Sequence, residues 1–156
     1  MYQEDVILGW RARLAGLRVV VDPEADVYHD YDYSRNVQKH YFLERNRLIF
    51  LSSCYSSRLL VLLCPVLVSV ELGMLVLSVK EGWWRQKLAG WAWLARNASW
   101  LGRHRRETQR LRRVPDRELA KALTSRLSPT MIALPRAANA ANPLLAAYWG
   151  LARRAL

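Results

Sequence analysis

Two adjacent carboxylates, Glu4 and Asp5, open a helical pattern that runs through Ile7, Leu8, Leu14 and Ala15 to a glycine at position 16. A carboxylate in the first turn of a helix is stabilised by the macrodipole, by roughly 0.3–1 kcal/mol at an exposed site. The same field keeps it ionised, and an ionised carboxylate held in place is a general base. Spacing alone leaves both readings open: a helix start, or a group that takes a proton from a reacting hydroxyl. Arg11 and Arg13 line the same helix, where a guanidinium meets either a phosphate or a neighbouring carboxylate. His29 closes the stretch, and a lone histidine there serves either as a hydrogen-bonded structural residue or as a ligand.

The elements that would position these groups can be read in order. Gly16 suits the left-handed residue that ends a helix. Val19 to Val21 form a β-type run, Asp22-Pro23 a turn, and Ala25 to Tyr28 a second short run ending at His29. The sequence therefore predicts helix, glycine, strand, turn, strand, histidine.

This order resembles the C-terminal part of the catalytic domain of family 2 glycosyltransferases, the inverting nucleotide-sugar enzymes with a GT-A fold, and most of all its bacterial rhamnosyltransferase-like members. The family's acidic pair continues as ED-x-x-L-x-x-R-x-x-x-x-G, and Glu4-Asp5, Leu8, Arg11 and Gly16 occupy those places. Val19 to Val21, Pro23, His29 and the later Glu44-Arg45-Asn46-Arg47-Leu48 also read as family sequence. The resemblance implies that Asp5 deprotonates the acceptor hydroxyl, with Glu4 orienting the acceptor or holding local charge. It implies phosphate contact for Arg11, and for His29 a place on a divalent cation (Mg or Mn) or the diphosphate. The implied partners are a nucleotide-sugar donor and a lipid-linked glycan acceptor. An Asp-x-Asp motif and a nucleotide pocket are expected in a segment ahead of Met1; Asp30-Tyr31-Asp32 falls on the wrong side of the acid pair. The chain is accordingly expected to be the back portion of a longer enzyme and inactive alone.

Charge divides the chain. Residues 1–58 hold eight Lys or Arg against eight Asp or Glu, whereas residues 80–156 hold sixteen against four; with Glu71 the sum is +11. Between the two halves, residues 59–79 form a nearly unbroken apolar run. At 1.5 Å per residue it would extend about 31 Å, enough to cross a bilayer core. Pro65, Glu71 and Gly73 interrupt it, and basic residues flank both ends. A catalytic part and a basic tail both placed inside the cell favour a kinked, re-entrant or in-plane segment over a simple crossing. Residues 83–101, with five tryptophans, are then expected to lie amphipathically at the membrane surface.

Residues 103–113 carry the densest basic run. Beside a membrane segment it points to anionic lipid. It lacks the interleaved aromatics that stack bases, so no nucleic-acid partner is expected. Cys54 and Cys64 show no metal or redox spacing and read as buried free thiols. The polar, acidic opening residues are not those of a signal peptide.

The expected fold class is mostly α with a short β portion: a C-terminal fragment of an α/β GT-A catalytic domain followed by membrane-associated and amphipathic helices. The expected divisions are the catalytic part at 1–57, hydrophobic Trp-rich helices at 58–101, a basic amphipathic region at 102–128, and an Ala-rich linker with a last helix at 129–156. The expected location is the cytoplasmic face of a bacterial inner membrane. A non-catalytic, basic, membrane-associated adaptor is the competing reading.

Overall fold

The computed structural model describes residues 2–28, 38–126 and 140–156. His29, Asp30-Tyr31-Asp32 and most of the Ala-rich linker lie outside the described residues.

Helices account for the architecture. Helix α1 (Glu4–Leu14) ends in two bonds that close a Schellman motif: Gly16 N–H donates to Arg13 O at 3.0 Å and Leu17 N–H to Ala12 O at 2.9 Å. Gly16 has φ +80°, a conformation glycine adopts at no steric cost, as the sequence pattern predicts. Helix α2 (Lys39–Cys54) is followed by α3 (Ser57–Lys80), α4 (Trp84–Arg96), α5 (Ala98–Arg110) and the short α6 (Asp116–Leu119), and a C-terminal helix spans Asn142–Ala152. The expected single amphipathic stretch at 83–101 is thus two helices, divided at Asn97.

The α/β expectation is corrected: no strand forms among the described residues, so neither the β portion nor an α/β GT-A fragment is supported. Residues 17–28 are exposed throughout, with Val20 74% and Val21 91% accessible. The local order is a turn at Asp22, in which Glu24 N–H donates to Asp22 Oδ1 at 3.0 Å and Ala25 N–H to Asp22 O at 3.3 Å. β-branched residues fit a pleated surface, but a strand exists only where a neighbour pairs its N–H and C=O groups, and none does so here.

Helix α2 is the hub, packing against both α4 and α5. The apolar core gathers Trp10 and Leu14 of α1, Phe50 and Cys54 of α2, Tyr55, Leu59 and Leu119. Trp10 meets the Phe50 ring edge-on at 5.7 Å and donates its indole N–H to Cys54 O at 3.3 Å. Burial pushes the Cys54 thiol up to about 11 and the Tyr55 hydroxyl up to about 12, so neither is a nucleophile near neutral pH. Cys64, expected to be buried, is exposed on α3.

The carbonyls left open at the C-terminus of α2 are capped from α5. Arg105 donates to Tyr55 O at 2.8 Å and also to Ser52 O, and Gln109 donates to Ser53 O at 2.7 Å. Arg105 also reaches Ser57 Oγ at 3.0 Å. Arg105→Met strips a charged donor from partly buried acceptors and is expected to lower unfolding free energy by about 1.5–3 kcal/mol, measurable by denaturant titration. The basic run therefore divides: Arg105 and Arg112 turn inward, Arg112 pairing with Asp116 at 2.7 Å, while Arg103, Arg106, Arg110 and Arg113 are exposed.

Helix α3 runs through Pro65 unbroken, starting at a Ser56 side chain that accepts from Leu59 N at 2.9 Å. Among the described residues it alone is long and apolar enough to cross a membrane, by length and composition. One stripe, through Leu59, Leu63, Glu71 and Ser78, turns toward the rest of the chain. The opposite stripe, through Val61, Val68, Leu72, Val76 and Val79, is exposed.

Candidate functional site

The acid pair sits where the pattern places it: Glu4 and Asp5 form the first turn of α1. Both are exposed, and neither takes part in a hydrogen bond or ion pair with the described residues. A structural ion pair is therefore not their role within the described residues. They line none of the three principal cavities among the described residues.

The backbone just ahead of them is fixed on both sides. Gln3 has φ +69°, the one non-glycine residue with positive φ among the described residues, and its side chain makes no capping bond. A left-handed conformation there costs on the order of 1–2 kcal/mol. Tyr2 is buried, stacks on Phe42 with ring centroids 6.4 Å apart, and its carbonyl accepts from Asn46 Nδ2 at 2.8 Å. Packing on α2 thus holds the helix start and sustains the strain at Gln3. The Glu44 to Leu48 segment contributes through Asn46.

Arg11 is exposed, seven residues and so about two turns after Glu4, on the same side of the helix. It makes no ion pair with the described residues, so the alternative of an internal carboxylate partner is not realised there. Its neighbour Trp10 bonds to Cys54 O, so this turn of α1 lies against the C-terminal end of α2. Whether His29 joins this group is outside the described residues. Among those residues no three His, Cys, Asp or Glu side chains come together as a metal site.

A second constellation escaped the sequence reading. Lys87 of α4, with no side-chain exposure, pairs with Glu44 of α2 and, at 2.9 Å, with Glu71 of α3. Arg47 pairs with Glu44 at 3.0 Å and also with Glu71, and Trp91 donates its indole N–H to Glu71 at 2.7 Å. Two carboxylates and two cations close a charge-balanced cluster that joins three helices. Two signals stood in the sequence: Glu44 and Arg47 three positions apart on one helix, and Glu71, since a carboxylate inside an apolar helix requires a partner. With Lys87 sixteen positions away and Glu44 and Arg47 further still, spacing could not name the partners. Each of the four charges meets an opposite one and the cluster is largely buried, which marks it as a clamp rather than a reaction site, although Arg47 Nε has no hydrogen-bond partner among the described residues.

Scans against protein-family models, the curated proteins and the solved structures give no match to this chain, so the glycosyltransferase resemblance rests on the residues quoted for it.

Proposed function

We propose that the chain forms part of an inverting glycosyltransferase that moves a sugar, rhamnose being the closest likeness, from a nucleotide-sugar donor to a lipid-linked glycan at the cytoplasmic face of a bacterial inner membrane. The observation that carries this reading is a pair of carboxylates without partners among the described residues, on a helix start fixed by Tyr2, Asn46 and a strained Gln3. Strain maintained by packing beside ionisable groups is a feature of functional sites. In the proposed step Asp5 accepts the proton of the acceptor hydroxyl as that oxygen bonds to the anomeric carbon. The bond from that carbon to the nucleotide diphosphate breaks on the opposite face, and configuration inverts. Glu4 orients the acceptor, and Arg11 offers its charge to a phosphate. The test is transfer of labelled sugar from a panel of nucleotide donors to lipid extract, using the longest in-frame product that contains this chain. No transfer from any donor would overturn the proposal.

Membrane association is supported by the exposed apolar stripe of α3 and the exposed basic stripe of α5. Each basic residue near an anionic surface contributes about 1 kcal/mol. Replacing Arg103 and Arg106 by Gln is expected to weaken binding to phosphatidylglycerol vesicles roughly thirtyfold, with a smaller effect at high salt, as read by flotation.

One observation favours a second reading. Because Glu4 and Asp5 line none of the three principal cavities among the described residues, a basic membrane adaptor without chemistry would look the same at this level. Such a protein would float with anionic vesicles and transfer no sugar.

A further inference from the structure

A cavity of about 180 Å³ lies between α3 and the C-terminal helix. Leu63, Val66 and Leu67 form one wall and Leu145 and Trp149 another, and Tyr148 ties the walls together by donating its hydroxyl to Leu62 O. The exposed residue Arg126 closes one side, so the cavity reaches the surface there. Its guanidinium has no partner among the described residues, and the Thr124 and Ser125 hydroxyls stand beside it on the lining. An apolar cavity near 150 Å³ already stays dry and accepts a small hydrocarbon.

We propose that this cavity takes the head-proximal stretch of one acyl chain of an anionic phospholipid, with the lipid phosphate on Arg126. Two observations select that occupant. Three of the lining residues belong to α3, the helix whose length and apolarity suit a bilayer, so a lipid chain reaches the cavity from the hydrocarbon without crossing water. The one charge on the lining is a guanidinium, whose fork matches phosphate oxygens, and no carboxylate competes for it there. The site is separate from the acid pair: none of its lining residues comes from α1. It rests on membrane residence and not on sugar transfer.

Native mass spectrometry of the full chain in mild detergent tests this with phosphatidylglycerol and phosphatidylcholine of identical chains. The expected result is one phosphatidylglycerol retained per chain at an activation that strips phosphatidylcholine. Arg126→Gln should reduce that preference about fivefold, the contribution of one basic residue near lipid phosphate. Val66→Trp fills the cavity and should abolish retention of both lipids. Leu145→Phe fills it from the other wall and covers the case in which the tryptophan variant does not fold. Glycerol phosphate, a head without chains, should not compete. Equal retention of the two lipids by the unaltered chain would overturn the assignment. Undiminished phosphatidylglycerol in the folded cavity-filling variants would do so too, as would displacement by glycerol phosphate.

Discussion

Asp5→Asn is expected to lower sugar transfer by about 10²–10⁴-fold, the usual contribution of a positioned general base. The substitution keeps the shape of the side chain and removes its capacity to accept the acceptor's proton. Folding should hardly change, because Asp5 is exposed and bonds to none of the described residues. The loss of first-turn charge costs only about 0.3–1 kcal/mol. That contrast separates the two roles open to the acid pair. A base yields a large fall in rate at constant affinity for the donor, since proton transfer matters in the transition state and not in donor binding. A helix-start charge yields a small fall in stability and no change in rate. Glu4→Gln provides the comparison: it removes the same charge from the same turn, but orientation of the acceptor should show mainly in KM. If Asp5→Asn transferred sugar at the unaltered rate, catalysis would not pass through this helix, and Asp5 would be a helix-start charge alone.

Lys87→Met is expected to cost about 3–5 kcal/mol of stability, because it leaves Glu44 and Glu71 sharing Arg47 in a largely buried setting. Methionine fills most of the lysine stem's volume, so the loss reports charge and hydrogen bonding more than packing. Denaturant unfolding in detergent measures it, and a cycle with Glu44→Gln isolates the pair. Neutralising Glu44 in the Lys87→Met background should recover part of the loss, giving a coupling of about 0.5–3 kcal/mol between the two sites. Additive effects would mean that the two side chains do not meet. The consequence reaches beyond stability. Trp91 and Lys87 hold Glu71 against α4, so breaking the cluster should release the C-terminal half of α3 and raise its amide exchange before the chain unfolds globally.

Local rules carried the sequence reading a certain distance. Carboxylates at the head of α1 and a left-handed glycine at its end are decisions made within one turn of backbone, and Gly16 closes the helix as its lack of a Cβ allows. The apolar run gave α3, because composition over about twenty residues leaves few alternatives to a buried or membrane helix. The pairing of Glu44 with Arg47 also follows from spacing on a helix.

The strands failed for the complementary reason. Val19 to Val21 have the residue types of a strand, but pairing is a property of the neighbour, and no described segment offers an edge. Helix starts depend on context too: Asn142, a residue type suited to a cap, is the first residue of the last helix, and Pro115, suited to a first helical position, is the cap of α6. Arg105 and Arg106 are adjacent in sequence and alike in chemistry, yet one caps α2 and the other faces outward.

By itself, then, the sequence determined what each short stretch could do: start a helix with charge, end it with glycine, seek an apolar medium, attract anions. Tertiary structure alone decided which charges find partners, because ion pairs, caps and strand ladders depend on groups many residues away. Glu71 became half of a clamp through Lys87 and Arg47, whereas Glu4 and Asp5, of the same chemical type, were left without partners among the described residues.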